Sequence, residues 1–141
     1  MEVDGKVTGA IDNGLLVFVG ISKNDTRQDA DYLVDRLLGL RIFPDTQGKL
    51  NRNVSAAGGS VLIVPNFTLY GDCGKGRRPS FDLAAGAEQA AILYNYFVER
   101  ACAGTVPVRT GLFQASMQVY LVNDGPVTLS CDSASSDPVS R

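Results

Sequence analysis

Apolar and polar positions change period several times along this 141-residue chain. In VDGKV at 3–7, Asp4-Gly5 stands between two short apolar flanks and predicts a tight hairpin. The run GLLVFVGI at 14–21 is apolar without interruption and predicts a buried strand. Beyond it Ala30, Leu33, Val34, Leu37 and Leu38 recur at the spacing of one helical face, with Asp25 or Thr26 placed to cap the start. LRIF at 40–43 predicts a short strand, PDTQGK a turn and AAGGS at 56–60 a loop. SVLIVPNFTLY at 60–70 reads as a strand in which Pro65, having no N–H for a ladder, marks a bulge or a strand end. GDCGKGRRPS at 71–80 is a glycine-rich basic loop. A second helix is predicted from Ala87 to Ala101, with Ala90, Tyr94, Phe97, Val98 and Ala101 facing inward. GLFQASMQVYLV and PVTLSC predict the last strands. Between them, NDGPVT at 123–128 carries Gly-Pro, which reads as a turn or as a rigid loop whose backbone serves a site. The pattern gives one domain, 1–131, and a flexible polar tail, 132–141. Two helices among these strands predict an α+β fold, a mainly antiparallel sheet or barrel packed by two helices.

Composition narrows the function. With 45% hydrophobic and 20% charged residues the chain has the make-up of a soluble globule. No apolar run approaches the roughly 20 residues of a membrane span, and the start lacks the basic and apolar segments of a signal peptide. A cytoplasmic protein without a membrane partner is expected. Cys73, Cys102 and Cys131 are too far apart for a paired metal motif, and three is an odd number for a disulfide framework. A net charge of −2 draws no polyanion globally, but Lys75, Arg77 and Arg78 form a dense local cluster able to hold a few phosphates or to stand solvated in a turn.

The chain has no histidine. This excludes Ser-His-Asp and Cys-His catalysis and the HExxH zinc motif. GDCGKGRRPS is not a P-loop either, because its glycines are too close and Gly76 follows Lys75 where a Ser or Thr is required. Thr68 is a candidate nucleophile without a base, and a threonine in a strand is most often structural. A strand disturbed by Pro65 offers something else: unpaired backbone N–H groups near Phe67 and Thr68, suited to stabilising an oxyanion.

Taken in order, NFTLY at 66–70, KGRRPSF at 75–81, GLFQASMQV at 111–119 and NDGPVT at 123–128 resemble the D-aminoacyl-tRNA deacylase family. The resemblance runs upstream through VDGKVTGAIDNGLLVFVGI and LLGLRIFPDTQGKLNRNV and covers the chain to about Ser130. It implies hydrolysis of the ester joining a D-amino acid, or glycine, to the terminal ribose of tRNA. It implies a homodimer without metal or cofactor, whose partner is the acceptor end of aminoacyl-tRNA. The site residues it implies are Asn66, Phe67 and Thr68 at the reacting centre and Gly125 with a cis Pro126 as a chiral gate entering the partner's pocket. Phe113 and Met117 would form the terminal-adenosine pocket, and Lys75, Arg77 and Arg78 would meet tRNA phosphates. Water would be activated with help from the ribose 2′-hydroxyl, which makes the missing histidine intelligible.

The chain departs from the family in two places. Ser-Gln usually precedes FTL, and here Pro65-Asn66 stands there, as proline does in a related animal branch with relaxed chirality and a trans Gly-Pro. Members also begin with an extra strand containing Gln-Arg-Val, whereas Met1 here already adjoins the hairpin, so that strand is expected to be missing or the start misassigned. The alternatives are a catalytically weakened or chirality-relaxed tRNA-binding paralogue, and a hydrolase of small D-aminoacyl esters that needs no tRNA.

Overall fold

The computed structural model describes residues 1–136. Strands β1 (Glu2–Val3) and β2 (Lys6–Val7) form the hairpin the sequence predicts. Its two turn residues both take positive φ, Asp4 at 50° and Gly5 at 78°, the conformation of the tight turns whose twist matches paired strands. The apolar run 14–21 supplies β3 (Gly14–Val19). Helix α1 (Arg27–Gly39) follows, then the small antiparallel ribbon of β4 (Phe43–Pro44) and β5 (Leu50–Arg52). Strand β6 (Ser60–Pro65), helix α2 (Ala87–Cys102) and strand β7 (Val108–Thr110) complete the frame.

The central sheet has the order β3-β6-β7, and both of its pairings are parallel. The expected α+β fold with two helices holds, but the central sheet is parallel where a mainly antiparallel sheet or barrel was expected: among the described residues, antiparallel pairing is confined to the two ribbons and three isolated bridges. The reason is connectivity. A helix separates β3 from β6 and β6 from β7, and such a crossover returns the chain in the same direction. Burial agrees, because β6 is covered on both faces. Val61 and Ile63 join the large core with Val34, Leu93, Tyr94, Phe97 and Ala101. Leu62 and Val64 turn to a second cluster with Met1, packed by Ile11, Leu16, Met117 and Val119. A strand covered twice reads as a continuous apolar run rather than an alternating one.

Both helices present the predicted faces. Ala30 and Val34 of α1 are buried, with Leu33, Leu37 and Leu38 packed against the core. On α2 the buried set is Ala90, Leu93, Tyr94, Phe97 and Ala101, while Val98 is partly buried. Thr26 caps α1, and the Asp29 carboxylate accepts its backbone N–H at 2.7 Å and its hydroxyl at 3.1 Å. Across the helix pair Asp31 accepts from Tyr96 Oη at 2.6 Å and from Arg100 Nε at 2.8 Å.

The predicted last strands do not form. Residues 112–120 alternate exposed and half-buried, so one face packs as a strand's would, but their link to a sheet is a bridge from Gln118 to Glu2. Of the tail expected over 132–141, Ser133–Ser136 form a 3-10 turn against α1, and 137–141 lie outside the described residues. No helix among the described residues is long and apolar enough to cross a membrane.

Candidate active site

Pro65 ends β6, one of the two outcomes its missing N–H predicts. The ladder to β3 is closed one residue later by Asn66 N–H, which donates to Val19 O at 2.8 Å. The chain then turns at once into a 3-10 helix, Phe67–Tyr70, with Asn66 as its cap. Gly20 makes this possible. A Cβ there would lie 3.0 Å from Leu69 Cβ, 3.2 Å from Tyr70 Cδ2 and 3.3 Å from Asn66 O. A side chain there would crowd the short helix where it folds over the end of β3.

Asn66 engages both donors of Thr68. Its Oδ1 accepts the Thr68 backbone N–H at 3.2 Å and the Thr68 hydroxyl at 2.5 Å. An amide oxygen is no base at neutral pH, so the hydroxyl has a hydrogen-bond partner but no proton acceptor. The Phe67 N–H, by contrast, has no hydrogen-bond partner among the described residues. Phe67 and Thr68 are exposed. The structure thus brings Asn66, Phe67 and Thr68 together and divides the two backbone donors the sequence suggested: Thr68 N–H is spent on the cap and Phe67 N–H is free.

Phe67 meets Phe81 edge to face, with ring centroids 5.2 Å apart. Phe81 stands at the foot of the basic loop, whose ends are tied by Asp72 N–H to Ser80 O at 2.7 Å and Ser80 N–H to Asp72 O at 2.9 Å. Lys75, Arg77 and Arg78 lie at its exposed tip and pair with no carboxylate among the described residues. Phe113 is half-buried and stacks on Tyr94 at 5.8 Å. Met117 packs elsewhere, its Sδ beside Met1 at Gly111. Tyr94 donates to Ile63 O at 3.3 Å, and burial pushes its phenol up to about 12.

The Gly125-Pro126 peptide is cis. Its loop is braced from within: Asn123 Nδ2 donates to Thr128 Oγ1 at 2.9 Å, and Val127 N–H donates to Asn123 Oδ1 at 3.0 Å. The loop is exposed on almost every residue, as are Leu121 at 58% and Val122 at 91% just before it.

A family profile described as D-Tyr-tRNA(Tyr) deacylase matches residues 1–132. A protein of Solibacter usitatus named D-aminoacyl-tRNA deacylase is 60% identical over 133 residues, 94% of this chain and 88% of that one. A Clostridium botulinum protein of the same name is 55% identical over 94% of this chain and 89% of its own. Among solved structures, one described as c-Myc DNA Unwinding Element Binding Protein superposes with a TM-score of 0.86 at 39% identity, over 91% of this chain and 87% of that one. Another, of a probable eukaryotic D-amino acid tRNA deacylase, has a TM-score of 0.58 at 21% identity over 72% and 75%, a likeness of fold alone.

Proposed function

The chain belongs to the D-Tyr-tRNA(Tyr) deacylase family, and from that premise we propose how it hydrolyses the ester of D-aminoacyl-tRNA. The observation that carries the reading is the unpartnered Phe67 N–H beside a threonine that no base serves. Water, positioned by the terminal ribose 2′-hydroxyl, bonds to the ester carbon. Charge gathers on the carbonyl oxygen, and the Phe67 N–H stabilises it. One such donor contributes about 3–4 kcal/mol in other acyl-transfer sites. The C–O bond then breaks, its electron pair leaves with the ribose 3′-oxygen, and a proton from the water reaches that oxygen by way of the 2′-hydroxyl. The products are the free amino acid and tRNA. Thr68 is not the nucleophile, because its proton points at an amide.

Chirality is read by the backbone of Gly125 and Pro126, supplied by a second copy. Fixed carbonyl oxygens accept the substrate's amino group and leave no room for an L side chain, so any D side chain passes and glycine passes as well. The internal bracing by Asn123 and the exposure of the loop support this. So does the apolar surface of Leu112, Tyr120, Leu121, Val122 and Leu129, which suits a homodimer interface. Phe113, stacked on Tyr94, and Met117, beside Met1, meet the terminal adenosine from two separate packing clusters, and Lys75, Arg77 and Arg78 take acceptor-stem phosphates. The reaction belongs in the cytoplasm, with charged tRNA.

The test is deacylation of D-Tyr-tRNA, L-Tyr-tRNA and Gly-tRNA in parallel, each with a ribo and a 2′-deoxy terminal nucleotide. D-Tyr and Gly esters should be cleaved, L-Tyr spared, and the 2′-deoxy forms cleaved far more slowly. Equal rates on ribo and 2′-deoxy substrates would remove the ribose from the mechanism.

A further inference from the structure

We propose that Asn66 is a positioning residue that fixes the polarity of the Thr68 hydroxyl, so that Thr68 Oγ1 faces the substrate purely as a hydrogen-bond acceptor. This rests on the deacylase reading above and adds a role to that same site. The orientation follows from one atom. A backbone N–H can only donate, so the Asn66 atom that meets Thr68 N–H at 3.2 Å must be the amide oxygen. The same oxygen lies 2.5 Å from Thr68 Oγ1 and has nothing to donate, so the hydroxyl proton points at it. The remaining lone pairs of Oγ1 face outward from an exposed side chain.

A hydroxyl whose proton is already engaged accepts more strongly than a free one, since linked hydrogen bonds polarise each other. The chemistry that Oγ1 takes is therefore an O–H or N–H donor of the bound substrate. At the reacting end of an aminoacyl ester that donor is the ribose 2′-hydroxyl or the α-ammonium. No proton leaves Thr68, and Asn66 works through Thr68 without touching the substrate. Asparagine suits this task because its short side chain reaches a backbone N–H two residues on, a local cap that the longer glutamine does not form readily.

The experiment is a double-mutant cycle read as single-turnover rate on D-Tyr-tRNA, with thermal unfolding measured for every variant. Thr68→Val removes the acceptor without changing shape, and Asn66→Leu removes the polarising oxygen. Each should slow the chemical step by about two- to tenfold, the range of one hydrogen bond. Together they should cost little more than Thr68→Val alone, because the two act as a unit. Thr68→Ser, which keeps the hydroxyl, should retain the rate and its sensitivity to Asn66→Leu. A general loosening of the turn would make Asn66→Leu equally harmful in every background, and losses that multiply in the double variant would overturn the proposal. An inactive parent overturns the deacylase reading instead. The Thr68→Val loss, repeated on the 2′-deoxy substrate, names the donor: it vanishes if the partner is the 2′-hydroxyl and persists if it is the ammonium.

Discussion

At the scale of the residue, burial and partners decide what each polar group does. Tyr94 lies inside the core with its phenol on Ile63 O, and its pKa stands near 12 instead of the usual 10. The folded value is raised, so the stability tied to the neutral phenol is complete below about pH 10 and is lost as pH rises toward 12. Tyr94→Phe should flatten the fall of Tm across that window. At neutral pH it should cost no more than about 1 kcal/mol, since one hydrogen bond is removed and Ile63 O keeps the N–H of Gly111 at 2.8 Å. Thermal melts of both proteins from pH 7 to about 11.5 check this. The inward direction of Tyr94 was legible, because helical spacing states it. The commitment of Asn66 was not. Sequence shows an amide one methylene shorter than glutamine, but not that the missing methylene turns the amide back onto the Thr68 it precedes.

At the scale of the element, glycines and strand ends place the site. Gly20→Ala would push a methyl to 3.0 Å from Leu69 Cβ, and the 67–70 helix has to shift. We expect a loss of about 1–3 kcal/mol in chemical denaturation, the usual cost of overpacking, together with a clear drop in deacylation rate. Gly39→Ala, at the end of α1 where an added Cβ meets nothing within 4 Å, is the matched control and should leave the rate unchanged and stability equal or up to about 1 kcal/mol higher. The basic loop gives a second test. Replacing Lys75, Arg77 and Arg78 with alanine should raise KM for D-Tyr-tRNA. It should also flatten the log–log salt dependence of binding by about 0.9 for each acceptor-stem phosphate that is no longer neutralised. The two helices were legible by period, and so was the strand end at Pro65. The parallel sheet was legible too, in the uninterrupted apolar runs of β3 and β6, though counting only two helices pointed the other way. The misread segment, 112–120, has a strand's alternation without a ladder for most of its length, and alternation reports a packed face, not a paired backbone.

At the scale of the molecule, Tyr120 at 66%, Leu121 at 58% and Val122 at 91% exposure sit together just ahead of the Gly125-Pro126 loop. Apolar surface grouped like this marks an interface more often than an accident. The chain should run as two copies by light scattering at micromolar concentration. Val122→Lys should shift it toward one copy and lower D-Tyr-tRNA hydrolysis in step. A monomer that keeps full D-selective activity would separate the gate from the second subunit. The central sheet carries a further consequence, one of timing. β3 has to wait for β6, which leaves the ribosome only after α1, β4 and β5, and β6 waits in turn for β7 beyond α2. At about 5–20 residues per second, the most apolar strands of the chain stand unpaired for seconds during synthesis. The buried strand β6 therefore depends on partners that are made on either side of it, one long before and one well after.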